Sequence, residues 1–341
     1  MTSENSTKPV YIIAELSANH GGSLEHALKT IRAMKDGGAD AVKLQTYTAE
    51  TLTIDCDRDE FKVGSGTLWE GRTLYDLYEE AHTPWDWHEA LFAEASKLGM
   101  DCFSTPFDNS AVDLLEKFDP PFYKVASFEL VDLPLIEYIA SKGRPIIMST
   151  GMGSLAEICD AVDVVKEAGV PLTLLKCTSA YPSPPDSMNL RTIRHLAEAF
   201  GVPTGLSDHT LGIAVPTAAV AMGATMIEKH FTLSRKQPGP DSAFSLEPHE
   251  FKAMVEAVRV TEKAIGKVNY ERTEKEEASK VFRRSLFAVA DIQAGEQFTT
   301  DNVRSIRPGY GLPPKFLPVI LDATAKQDLS RGTPLTWKDV Q

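Results

Sequence analysis

His209 and His230 each stand where a short β-branched or apolar run gives way to a loop, within GLSDHTLG (205–212) and IEKHFTL (227–233). Two imidazoles leave most of an octahedral shell for water and substrate oxygens, which suits a manganese-like divalent ion better than structural zinc. Hydrogen-bonding rim histidines would give the same pattern. Lys43 and Lys124 also end apolar runs, and a lysine stem rising along a wall can set its ammonium against phosphate or carboxylate. The bland alternative pairs each lysine with Glu15 or Glu129 in a buried network, and a Schiff-base role for Lys124 or Lys176 stays open. Hydroxyls at Ser127, Ser149 and Ser207 suit the remaining hydrogen bonds to such an anion. Glu15, Glu129 and Asp241 are carboxylates able to hold sugar hydroxyls or exchange a proton, although Asp241, after Gly239-Pro240, fits a plain turn as well.

These residues converge only if the chain brings many strand ends together. Short apolar runs at 10–16, 41–45, 101–104, 122–126, 145–149, 172–176, 204–206 and 225–228 predict eight strands. Amphipathic stretches at 24–36, 85–98, 110–118, 133–140, 155–168, 190–199, 214–221 and 248–264 predict the helices between them. Gly37-Gly38, Gly99 and Gly169 punctuate helix exits. Alternation at this spacing predicts an α/β fold, a closed (β/α)8 TIM barrel, whose strand-to-helix loops share one face. An open doubly wound sheet is the competitor, but no GxGxxG follows the first strand. On the shared face the strand ends also present Asn19, His20, Gln45, Lys176, Ser179, Tyr181 and Glu228. His26, His88, His195 and His249 read as structural or solvated, and His82 is undecided.

The connection 47–84 is too long for a routine loop, and Gly64, Gly66, Trp69, Gly71, Arg72 and Tyr75 suit either a lid or a decorative insertion. Residues 1–265 form the expected catalytic barrel and the charged stretch 266–284 a linker. Residues 285–341 alternate short runs at 285–290, 302–307 and 333–337 with glycine turns, predicting a small β-rich domain.

A net charge of -13 excludes a nucleic-acid partner, so an anionic substrate needs a local cation cluster. Met1–Pro9 has no apolar segment resembling a signal peptide, and no apolar run is long enough to span a bilayer. Cys56, Cys102, Cys159 and Cys177 lack metal-knot or disulfide spacing, which points to a reducing cytoplasm, with core packing as their default role.

The segments IAELSANHGG (13–22), VKLQTYT (42–48), YKVASFE (123–129), MSTGM (148–152), KCTSAYPSP (176–184), GLSDHTLG, IEKHFTL and GPDSAFSL (239–246) resemble the sialic-acid-type nonulosonate synthases. RSIRPGYGLPPK (304–315) resembles the antifreeze-like (SAF, β-clip) domain that ends those enzymes. GTLWEGRTLYDLYEEAHTPWDWH (66–88), with Ser179 and Ser242 at two further positions, is most similar to the pseudaminate-forming subgroup. The resemblance implies phosphoenolpyruvate and 2,4-diacetamido-2,4,6-trideoxy-L-altrose as substrates. It also implies a divalent metal, manganese first with magnesium or cobalt as alternatives, and a homodimer whose small domain caps the partner's barrel. His209 and His230 match the metal ligands, and Lys43, Lys124, Ser127, Ser149, Ser207 and the substituted Ser179 match phosphoenolpyruvate contacts. Glu15, Glu129, Tyr181 and Asp241 match groups around the sugar, and Arg307 matches an arginine reaching in from the partner.

Overall fold

A computed structural model describes residues 8–64, 66, 68–237 and 239–341. The polar start at 1–7 and Thr67 of the 66–88 motif lie outside the described residues. The chain divides into two compact units, Met1–Gly266 and Lys267–Gln341.

In the first unit eight parallel strands close in sequence order: β1 (Tyr11–Glu15), β2 (Ala41–Thr46), β3 (Asp101–Pro106), β4 (Tyr123–Val125), β5 (Ile146–Ser149), β6 (Leu172–Cys177), β7 (Thr204–Asp208) and β8 (Met226–His230). β8 pairs with β1, setting Glu15 opposite His230, and this closure rules out the open sheet. Helices Leu24–Asp36, Leu133–Ala140 and Ala214–Ala221 occupy the expected spans. The expected helix at 85–98 instead opens as a 3-10 turn, Trp85–Trp87, behind Pro84, before the α-helix His88–Lys97. Ser23 accepts from the His26 N–H, and Ser154 with Glu157 forms a reciprocal box opening Leu155–Glu167, so side chains take up donors that helix starts leave orphaned.

Successive side chains on a strand point to opposite sheet faces, so each barrel strand divides its residues between two layers. Ile12, Ala14, Val42, Leu44, Leu206 and Ile227 join the core under the helices, packed with Ile31, Met34, Phe251 and Val258. The opposite parity forms a lower apolar plug of Ile13, Ala41, Phe103, Ile147, Leu175 and Met226. One step of two residues further up, Ile13 gives way to Glu15, Ala41 to Lys43, Ile147 to Ser149, Leu175 to Cys177 and Met226 to Glu228. The polar layer therefore rests on an apolar floor. Gly205 lets strands close around that floor, because an added Cβ would lie 2.4 Å from the Met226 carbonyl oxygen and 2.7 Å from Leu175 Cδ2. Gly205→Ala should cost about 1–3 kcal/mol through overpacking, read as a lower denaturant midpoint; an unchanged midpoint would refute the tight fit.

The second unit holds a two-stranded antiparallel sheet, β9 (Ser285–Ala288) with β10 (Val303–Ile306), over a core of Leu286, Ile292, Phe298, Val303, Ile320 and Leu335. The strand expected at 333–337 is reduced to one bridge between Phe287 and Pro334, since proline has no N–H with which to extend a ladder. A short helix, Leu317–Leu321, was not expected, and another, Glu274–Ala278, lies within the stretch read as a linker. No described helix is long and apolar enough to cross a membrane.

Candidate active site

The upper end of the barrel encloses a cavity of about 520 Å³. At its base Lys43 Nζ lies 2.5 Å from Glu15 Oε2 and 3.7 Å from Glu228 Oε2, with all three side chains almost fully buried. Glu15 also accepts from Gln45 Nε2 at 3.2 Å, and Glu228 accepts from the Ser207 hydroxyl at 2.8 Å. Lys124 Nζ donates to Ser149 Oγ at 2.7 Å and to the Val125 carbonyl at 2.6 Å. Burial lowers the lysine ammoniums, yet Glu15 and Glu228 hold Lys43 above its ordinary value. Lys124, with Lys43 as a like-charged neighbour and Glu228 only partly compensating for burial, falls to about 8. Burial raises Glu15 to about 7 against the pull of Lys43, with the Glu228 charge adding to the rise. Glu228 is pulled below its usual range despite burial, by Lys43 and Lys124. One buried layer thus contains one carboxyl near neutrality and one firmly ionised, a separation that acid–base work uses.

His209 and His230 face each other with ring centroids 5.3 Å apart. His209 Nδ1 meets the Thr178 carbonyl at 3.1 Å, which leaves Nε2 for a ligand. His230 Nδ1 is buried with no hydrogen-bond partner, and burial together with His209 pushes its pKa well down, favouring the neutral ring. Two imidazoles with available nitrogens suit a divalent ion completed by water and substrate oxygens. No cluster of three or more His, Cys, Asp or Glu side chains suited to a metal occurs among the described residues. The Tyr181 ring packs tilted against His209 with centroids 4.5 Å apart, and Phe244 meets His230 edge-on at 4.9 Å, which fixes both imidazoles.

Ser127, Ser149, Ser207, Glu129, Tyr181, Asp241, Lys43, Lys124, Gln45, His209 and His230 all line this cavity. Asp241 accepts from the Ser17 hydroxyl and from the Ala18 N–H at 3.3 Å, so it is held by the loop after β1. Ser179 sits beside Gly151, where an added Cβ would come within 2.4 Å of its hydroxyl and 2.6 Å of that of Ser127. Asn19 instead binds the Phe231 carbonyl and Ser245 at 3.0 and 2.9 Å, tying two loops, and His20 meets the Ala81 carbonyl at 3.2 Å. Neither is among the cavity's lining side chains. Lys176 points into a separate cavity and binds the Cys177 carbonyl at 2.6 Å. Arg307 is exposed just past β10 in the second unit.

One carboxylate and one thiol among the lining residues lie outside the expected set. Glu228 lies in β8 two residues before His230, an i, i+2 relation that puts both on one face. Cys177, assigned to core packing, has its sulfur 3.9 Å from His209 Nδ1. Burial raises a thiol, but the His209 side chain outweighs this and Lys124 assists, giving about 7.

Glu129 provides a test of the cavity's polarity. Burial lifts it from an ordinary 4.5 to about 7, and its Oε2 has no hydrogen-bond partner. Between those two pH values the folded chain keeps a proton that the unfolded chain releases. The resulting stability is present below pH 4.5 and lost as pH rises through 7. Glu129→Gln should therefore gain roughly 1–3 kcal/mol at pH 8, reduced by partial solvent access, and almost nothing at pH 4. Urea unfolding at both pH values reads this, and equal gains would disprove it.

The connection 47–84 roofs the cavity. Leu52, Val63, Leu74, Leu77 and Ala81 line it on this side. Trp69 Nε1 donates to the Pro240 carbonyl at 3.1 Å, and its ring lies 5.8 Å from Tyr181. Arg72 and Tyr75 are engaged elsewhere, with Glu80 and Glu50. The segment therefore forms one wall of the cavity.

Residues 30–270 match the NeuB family and residues 283–341 the SAF domain. The pseudaminic acid synthase of Campylobacter jejuni is 48% identical over 338 residues, covering 99% of this chain and 98% of that protein. The N,N'-diacetyllegionaminic acid synthase of Legionella pneumophila is 36% identical over 343 residues, covering 98% and 96%. The crystal structure of N-acetylneuraminic acid synthetase from Leptospira borgpetersenii serovar Hardjo-bovis, in complex with citrate, matches with a TM-score of 0.72 at 32% identity. That match covers 82% of this chain and 94% of that chain. Agreement that runs through both units and almost end to end has one meaning: the chain belongs to the NeuB family.

Proposed function

We propose that this chain is a synthase that condenses phosphoenolpyruvate with 2,4-diacetamido-2,4,6-trideoxy-L-altrose and water, releasing pseudaminic acid and inorganic phosphate by C–O cleavage. The observation that carries this reading is the meeting of Lys43, Lys124, Glu228, His209 and His230 in one cavity of an otherwise acidic protein, with Glu15 fully buried against Lys43. The choice of sugar is supported by the greater identity to the Campylobacter pseudaminic acid synthase than to the legionaminic relative.

His209 and His230 would hold a divalent ion, manganese in this reading, whose chemistry is Lewis-acid polarisation of the sugar aldehyde. Lys43 and Lys124 neutralise the phosphate and carboxylate of phosphoenolpyruvate, with Ser127, Ser149, Ser179 and Ser207 supplying hydrogen bonds. Its methylene carbon, C3, attacks aldehyde C1 and positive charge develops at C2. Water adds at C2, and the hemiketal phosphate collapses with departure of phosphate. Glu15, held near neutrality, exchanges a proton with the aldehyde oxygen or the incoming water. Glu129, Tyr181 and Asp241 surround the sugar, and the apolar roof limits water access. In ¹⁸O-labelled water the label should enter the sugar acid; label in phosphate alone would overturn the route. A panel of acetamido aldoses tests the acceptor, and faster turnover with a legionaminate or N-acetylneuraminate precursor would reassign it.

The same reading places the enzyme in the cytoplasm as a homodimer in which Arg307 of one chain reaches the sugar in its partner's barrel. Arg307→Ala and His209→Ala subunits, each inactive or impaired alone, should regain up to about a quarter of wild-type turnover when exchanged, because one composite site per heterodimer is intact. No recovery after verified subunit exchange would refute the shared site.

A further inference from the structure

Outside the lumen, directly behind the two histidines, lies an ion pair that the proposed chemistry leaves without a role. Lys229 Nζ is 2.6 Å from Asp208 Oδ2, and both side chains have no solvent exposure, 0% each. Asp208 and Lys229 are opposite one another in the β7–β8 register, so the pair joins adjacent strand ends. Asp208 accepts from the Thr210 N–H at 2.9 Å and from the Thr210 hydroxyl at 3.1 Å. Lys229 donates in turn to the Thr210 carbonyl. The residues on both sides of His209 are thus tied to the residue immediately before His230.

A buried ion pair is a poor way merely to hold a barrel together, because desolvating both charges offsets much of their attraction. Apolar residues of similar volume often stabilise a core as well. What packing alone does not supply is direction: Asp208 and Lys229 fix particular backbone atoms at particular distances. Such outer interactions orient metal ligands. Resting on the metal reading above, we propose that Asp208 and Lys229 form a positioning clamp that sets the separation of the His209 and His230 imidazoles for a divalent ion. Neither clamp residue lines the cavity, so both act only through the histidines.

The test uses the full-length chain and Mn²⁺ alone, with free ion read by electron paramagnetic resonance well below the melting temperature. In Lys229→Met combined with Asp208→Asn, the amide keeps an acceptor for Thr210 and no buried charge is left unpaired. This double variant should melt close to wild type yet bind Mn²⁺ about 10–100-fold more weakly. If it does not fold, Thr210→Val, which keeps the ion pair and removes only the hydroxyl that Asp208 accepts from at 3.1 Å, should still weaken Mn²⁺ binding about tenfold. A folded variant with wild-type Mn²⁺ affinity overturns the clamp while leaving the metal reading intact. Wild-type protein that binds no Mn²⁺ overturns both.

Discussion

Lys43→Met should reduce kcat/KM for phosphoenolpyruvate by about 10²–10³-fold, the usual scale for losing one preorganised electrostatic contact. It should also destabilise the empty protein. Lys43 sits 2.5 Å from Glu15 and 3.7 Å from Glu228, and its removal leaves two buried carboxylates without their shared cation. Breaking one side of a buried pair typically costs about 3–5 kcal/mol. The two effects separate by pH and by a second substitution. Without Lys43 both carboxyl pKa values rise, so the stability loss is largest above neutrality and shrinks as acid protonates Glu15. Lys43→Met with Glu15→Gln should recover part of the lost stability but none of the lost turnover. A single variant that turned over normally would sink the anion-clamp assignment.

His209→Ala should remove turnover by about 10³-fold or more, since polarisation of the aldehyde is worth several kcal/mol and each 1.36 kcal/mol is tenfold. Its structural effect is not nil. His209 is buried among Tyr181, His230 and Phe244, so truncation leaves a small cavity at an expected cost of about 1–2 kcal/mol. Metal-stripped wild type should lose turnover and regain it with Mn²⁺, whereas His209→Ala should not regain it at any accessible Mn²⁺ concentration. Full turnover of the stripped wild type would remove the histidine pair from the chemistry.

The barrel was legible because its signal is periodic. Eight short apolar runs, glycine helix exits and helix-period stretches agree with one another, and closure satisfies all eight strands at once. Within strands the same parity carries the site: Lys43, Lys124, Ser149, Ser207 and His230 all face the cavity, and His209 follows one residue past β7. Applied without exception it would have brought in Glu228 and Cys177 as well. Legibility fails once the chain leaves the strand. Asn19 and His20 lie four and five residues beyond Glu15, where no two-residue alternation constrains direction, and both turn to hold neighbouring loops. The second unit was harder for a related reason. Its core is stitched by isolated bridges such as Ile292 with Leu329 and Ala325 with Val340, which leave too few consecutive residues for a pattern.

The roof has an architectural consequence. Lys43, Lys124, Ser149, Ser207, Glu228 and His230 stand on barrel strands that cannot shift without opening a closed sheet, whereas the apolar ceiling belongs to a detour, 47–84, whose rebuilding leaves strand order untouched. The charged layer and the apolar ceiling above it are therefore written on separable stretches of polypeptide. One can be edited while the other stays whole, and Trp69, latched to Pro240, marks where the two meet.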